Sequence, residues 1–145
     1  MLNETDLEAF DYYEPTDADL REVELMSMTP LDMVIEFSEC MGQPLGRNFT
    51  EGSPLDLLRF TLLREETEEV SNSDGPENLL KELADVVYVA YGYAATFGWD
   101  LDEAFRRVHE SNMSKLDEDG KPIYRDDGKV LKGPNYNKPD LKDLV

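Results

Sequence analysis

Glu66 and Glu69 lie on one side of a short polar break in the chain, and Glu82 and Asp85 lie on the other. Ahead of the break, Leu55, Leu58 and Leu62 recur at helical spacing, and the same stripe continued by four and then three residues reaches Glu66 and then Glu69. Beyond the break, Leu79, Val86, Val89, Tyr93 and Phe97 mark the inner face of another helix, with Glu82 and Asp85 on or beside it. Carboxylates therefore stand where core residues belong. One such pair would read as a solvated helix face; two pairs, both next to the same turn, read as a site, because local rules broken together in one place usually mark function.

The break itself, Ser71-Asn72-Ser73-Asp74-Gly75-Pro76, reads as a tight antiparallel connection, with Pro76 suited to a first helical turn. At a rise of about 1.5 Å per residue, Glu66 and Glu69 fall within about one turn of the break, and Glu82 and Asp85 about one to two turns past it. All four can meet at one level between two helices. Unpaired and buried, each would cost on the order of several kcal/mol or take up a proton, and acids at the end of the first of these helices oppose its dipole. A cation is expected among them. Carboxylate oxygens as the only donors favour a hard ion, Mg²⁺ or Mn²⁺, over zinc.

The elements that must position these groups are helical, and the expected fold is all-α: a bundle of about four main helices with a short C-terminal loop or hairpin extension. Thr29-Pro30 supplies an N-cap and a first-turn proline, followed by the stripe Met33, Val34, Phe37 and Met41. Gly42 to Gly52 reads as a loop. Ser53-Pro54 opens the next helix, which runs to about Val70, and the third runs from about Pro76 to Phe97 and stops at Gly98. Within it, Gly92 would let another helix or a flat ligand approach closely. Asp100 and Glu103 resemble a capping box at the head of a fourth helix with the stripe Leu101, Phe105 and Val108, which continues to Asn112 and Lys115. His109 falls off that stripe and reads as a surface or packing residue, and Tyr88, Tyr91 and Trp99 read as core aromatics before base-stacking groups.

Before residue 29 the acids crowd, with Arg21 the only basic residue among residues 1–24, so residues 1–28 are expected to be a loosely ordered acidic arm. Phe10, Tyr12, Tyr13, Val23, Leu25 and Met26 are the arm's candidates for docking on the body or on a second subunit. Residues 29–145 form the helical domain, with a tail from about 117. There, Asp117-Glu118-Asp119-Gly120 and Asp126-Asp127-Gly128 are turn signals flanking Ile123 and Tyr124, which suggests a short hairpin or ordered loop. The first turn lacks the spaced ligands of a calcium loop and has Gly128 where the terminal glutamate would stand. Of 14 basic residues, Lys115, Lys121, Arg125, Lys129, Lys132, Lys138 and Lys142 lie at or beyond position 115, a positive tail able to neutralise its own body or close over a phosphate.

A chain of 145 residues with 40% hydrophobic content is a single folded domain, and its net charge of −19 argues against nucleic acid or an anionic membrane as a general partner. A lone cysteine, Cys40, makes no intrachain disulfide, and a lone histidine, His109, makes no conventional zinc set. The N-terminus lacks the basic start and apolar run of a signal peptide, and no stretch approaches transmembrane length, so a cytoplasmic location is expected, that of a host if the gene is a phage's.

Glu-Glu-x-x-Glu at Glu65, Glu66 and Glu69, followed after twelve residues by Glu-x-x-Asp at Glu82 and Asp85, resembles the signature of the all-α nucleoside triphosphate pyrophosphohydrolases. The chain looks like a MazG-like member, related to phosphoribosyl-ATP pyrophosphatases and dimeric dUTPases. Its tail, His109-Glu110-Ser111-Asn112-Met113-Ser114-Lys115-Leu116 and then Asp127-Gly128-Lys129-Val130-Leu131-Lys132-Gly133, is similar to the version in phage and bacterial MazG-like proteins. The resemblance spans roughly residues 29–141. It implies a homodimer or homotetramer, Mg²⁺ dependence, and cleavage of a nucleoside triphosphate to the monophosphate and pyrophosphate. It assigns metal binding to Glu66, Glu69, Glu82 and Asp85, a second metal position or orientation of the attacking water to Glu65, and the substrate end to Asn112 and Lys115, with Lys129, Lys132 and Tyr136 from the tail. Glu65 and Glu66 are thus the expected catalytic pair. The competing expectations are phosphoribosyl-ATP hydrolysis on the same apparatus and a noncatalytic acidic, cation-binding regulator.

Overall fold

The computed structural model describes residues 14–145. The described residues form five α-helices and no strand: α1 (Asp17–Ser27), α2 (Pro30–Cys40), α3 (Pro54–Asn72), α4 (Gly75–Thr96) and α5 (Leu101–Met113), with a 3-10 turn at Lys142–Leu144. Four of these are the helices expected from periodicity. The fifth, α1, corrects the reading of residues 17–27 as loosely ordered. Thr16 caps it reciprocally with Asp19, the Thr16 amide donating to the Asp19 carboxylate at 2.8 Å, and Arg21 reaches Glu36 on α2 at 2.6 Å. A cap and one cross-helix ion pair outweigh the like-charge crowding. No residue of α1 is buried, and Val23 and Met26 face outward. Phe10, Tyr12 and Tyr13 lie outside the described residues.

The core sits around the C-terminal half of α4. Val34, Tyr91 and Ala95 are buried together, with Leu31, Ile35, Leu45 and Leu101 packed against them. On α2 the inner face is therefore Leu31, Val34, Ile35 and Ser38, and Phe37 and Met41, expected on that face, are exposed. Beside this core, the rings of Phe49, Tyr93, Phe97 and Trp99 cluster, with Phe97 5.1 Å from Phe49 and 5.3 Å from Trp99. The loop after α2 closes the end of α4: the Gly46 and Arg47 amides donate to the carbonyls of Ala95 and Thr96 at 3.1 and 2.7 Å, groups that a helix end leaves unpaired. Gly98, at φ +73°, passes so close that a Cβ there would lie 3.3 Å from Gly46 Cα. Gly92 is buried against Val34 and Arg59, where a Cβ would meet only ordinary contacts of 3.6 Å or more.

α3 packs most extensively on α4, and the link between them is shorter than expected, since both helices extend into the polar break and leave only Ser73 and Asp74 between them. The inner face of α3 also differs from the Leu55, Leu58, Leu62 stripe. Leu58 is exposed, and the buried positions are Asp56 and Arg59. Asp56 accepts a short hydrogen bond from the Tyr93 hydroxyl and another from the Gly52 amide at 2.7 Å, and these hold its carboxyl below the ordinary range. Arg59 donates to Gln43 at 3.2 Å and has no carboxylate partner among the described residues; its Nε is buried without a hydrogen bond. The line running toward the acidic site is thus Leu55, Arg59, Leu62 and Glu66, spaced by four, three and four residues.

α5 meets α4 through the Tyr91 hydroxyl, which donates to Asp102 at 2.9 Å. Asp100 accepts from the Glu103 amide at 2.9 Å, the N-cap half of the expected box, while the Glu103 carboxylate turns instead to Arg106 and Arg107. Phe105 and Val108 are exposed, so the apolar stripe of α5 faces outward for most of its length. The tail is an ordered loop with one antiparallel bridge, Tyr124 to Val130. It returns to α5 at Gly133, whose amide donates to the Lys115 carbonyl at 2.9 Å and where a Cβ would lie 2.5 Å from the Leu116 oxygen, so only glycine fits. Its end is clamped by Arg107, which grips Asp143 at 2.5 and 2.8 Å and the Asp140 carbonyl at 2.9 Å. No helix among the described residues is long and apolar enough to cross a membrane.

Candidate active site

The two-residue turn brings the last turns of α3 and the first turns of α4 side by side. Glu66 and Glu69 from α3 and Glu82 from α4 place carboxylate oxygens within 4.8 Å of one another. Glu82 is 6% exposed, whereas Glu66 is half-buried and Glu69 open to solvent. Asn78, one turn before Glu82, donates to its Oε1 at 2.8 Å and fixes the buried carboxylate in place. Asp85 joins the group through Lys81, whose Nζ lies 2.8 Å from Asp85 Oδ2 and 3.1 Å from Glu82 Oε2. Glu65 is exposed, about 100° round the helix from Glu66, and is not one of the three converging carboxylates.

The electrostatics follow from this crowding. The Glu69 carboxyl is raised above the ordinary range, first by a hydrogen bond shared with Glu82 and then by the charges of Glu66 and Glu82. Glu82 is lowered, first by the Lys81 ammonium and also by Asn78, despite its burial. Oxygen donors only, from two helices, with one partly buried set of negative charges offset by a single lysine, suit a hard divalent cation. Among the described residues this is the only group of three acidic, histidine or cysteine side chains close enough to hold one.

The residues expected at the substrate end also come together. Lys115 donates to Asn112 at 2.7 Å at the end of α5. Lys115, Lys129 and Lys132 line one cleft with Val130 and Leu131, and Lys132 lies 4.4 Å over the Tyr136 ring. No hydrogen bond or ion pair among the described residues joins this cluster to the carboxylates of α3 and α4. His109 is exposed on the helix surface. Sequence reasoning passed over Lys81, Asn78 and Arg59. Lys81 was findable from its i, i+4 relation to Asp85, and Asn78 from the same relation to Glu82.

A four-helix core around an antiparallel pair with three converging carboxylates is the frame in which a family match places this chain, within the class of MazG-like all-α nucleoside triphosphate pyrophosphohydrolases. Within that class, residues 34–112 match the family described as phosphoribosyl-ATP pyrophosphohydrolase, and the chain belongs to that family. The match covers more than half of the chain, including α3, α4 and every carboxylate of the site. No protein of curated function matches it. Members of the family are pyrophosphohydrolases, hydrolases acting on phosphoric anhydrides, and generally use a divalent metal.

Proposed function

We propose that the protein is a Mg²⁺-dependent nucleoside triphosphate pyrophosphohydrolase, with Mn²⁺ as an alternative ion, converting a ribo- or deoxynucleoside triphosphate to the monophosphate and pyrophosphate. The observation that carries this reading is the convergence of Glu66, Glu69 and Glu82 within 4.8 Å, with Asp85 tied to them through Lys81. These four residues would hold the cation. When bound, it would neutralise phosphate charge and acidify water, without which a cluster of carboxylates would repel a triphosphate.

The chain's own groups do the rest. Water adds at the α-phosphorus, the bond from that phosphorus to the bridging oxygen breaks, and pyrophosphate leaves with the oxygen. Glu65 and Glu66 orient the attacking water and take up its proton, Glu65 from the open side of the helix. Asn112, Lys115, Lys129, Lys132 and Tyr136 engage the anionic substrate from the end of α5 and the tail, where three lysines line one cleft. The exposed apolar residues of α3 and α4 support a homodimer or homotetramer, and the net charge of −19 argues against nucleic acid or an anionic membrane as a general partner. A reducing cytoplasm suits the single exposed thiol of Cys40.

A second reading, phosphoribosyl-ATP as substrate, is favoured by the description of the matched family. The same anhydride would be cleaved by the same groups. A pyrophosphate-release screen over ribo- and deoxynucleoside triphosphates and phosphoribosyl-ATP, with Mg²⁺ and with EDTA, separates the two. The proposal expects metal-dependent release from at least one simple triphosphate. Release from phosphoribosyl-ATP alone would establish the second reading, and silence across the panel would contradict both.

A further inference from the structure

The acidic site already contains a cation of its own. Lys81 Nζ lies 2.8 Å from Asp85 Oδ2, 3.1 Å from Glu82 Oε2 and 3.2 Å from Glu82 Oε1, so one ammonium bridges both carboxylates that α4 brings to the site. That is where an ion shared by Glu82 and Asp85 would have to sit. The two partners differ in freedom: the Glu82 side chain is 8% exposed, whereas that of Lys81 is 60% exposed. The carboxylate cannot leave without disturbing the packing, and the lysine can swing into solvent on its flexible stem. Lysine suits such a role better than arginine, since it is a compact point charge and makes no two-pronged clamp with a carboxylate.

We propose that Lys81 is the displaceable counter-ion of this site: its ammonium holds the Glu82 and Asp85 oxygens together in the metal-free protein and yields them to a divalent cation. This rests on the metal-site reading above. Binding of the ion then carries the cost of breaking the lysine contacts, and the site stays assembled when no ion is present. Arg64, the cation on the neighbouring stretch of α3, serves as a control, because it reaches only Glu68, at 3.8 Å, and touches none of the converging carboxylates.

The test is calorimetric titration of the metal-free protein with Mn²⁺, without nucleotide, on the parent, K81M, K81Q, R64M and E82Q. Both Lys81 variants are expected to bind Mn²⁺ about tenfold more tightly than the parent, while R64M stays within about twofold and E82Q loses binding. Unchanged or weaker binding by K81M and K81Q, or an equal gain in R64M, would overturn the proposal while leaving the metal site intact. Undiminished binding by E82Q, or none by the parent, would overturn the metal-site reading itself.

Discussion

Glu65 and Glu66 are adjacent in sequence and unequal in place. Glu66 converges with Glu69 and Glu82, whereas Glu65 stands outside that group, exposed on the helix. If Glu65 orients water and does not hold the ion, E65Q will lower kcat at least about tenfold and leave Mn²⁺ affinity within about twofold of the parent, as turnover and calorimetry would show together. A matching fall in affinity would make it a ligand. A different residue-level consequence concerns Arg59, a residue 7% exposed with no carboxylate partner among the described residues. Burial lowers its pKa, which means the charge is held at a cost. R59M, similar in volume and apolar, should be neutral to stabilising by about 1–4 kcal/mol in chemical denaturation. A strongly destabilised R59M would show that the guanidinium has a partner in the functional assembly.

Among the elements, the helices around the site were legible in the sequence because their ends carry explicit signals. Thr29-Pro30, Ser53-Pro54 and Asp100 cap α2, α3 and α5 as side-chain chemistry dictates. The acidic level was legible for a related reason: carboxylates on helical stripes on both sides of a turn leave few arrangements. What the sequence hid was the rotation of the helices. On α3 the inner line passes through Arg59 and not Leu58, and on α2 through Ser38 and not Phe37, because buried polar residues, such as Arg59 with its partner Gln43 in the loop, look like surface residues in a periodicity count. The arm misled in the opposite direction, since its net charge outweighed in reading the single Thr16 to Asp19 cap that sets α1. The clamp of the tail on α5 is a pH-dependent element. Arg106 and then Arg107 hold the Glu103 carboxyl down to about 2, and Arg107 lowers Asp143 as well. A carboxyl lowered in the folded state stabilises fully above its unfolded value, about 4.3 for glutamate, and loses that contribution as pH falls toward 2. Hydrogen exchange of residues 137–144 should therefore be protected at pH 6 and accelerate, beyond the intrinsic pH effect, below about pH 4. R107M should show the loose tail already at pH 6; equal protection in the variant would contradict the clamp.

Taken as a whole, the molecule leaves a large apolar surface open for a chain with net charge −19. Leu57, Leu58 and Phe60 on α3, and Leu80, Leu83 and Val87 on α4, are each more than 45% exposed. Such faces on the helices that carry the site, in a protein whose family resemblance implies an oligomer, are expected to be covered by a second copy. Light scattering should give a dimer or tetramer, and L58E or L83E a smaller species. A monomeric parent at micromolar concentration would contradict this. On the proposed function, the carboxylates between α3 and α4 carry the hydrolysis. The most direct test is pyrophosphate release by the parent, E69Q and D85N at saturating Mg²⁺ on the best substrate found. Release should fall at least about a hundredfold in both variants with the fold intact by circular dichroism; the parental rate in either variant would remove these carboxylates from the reaction.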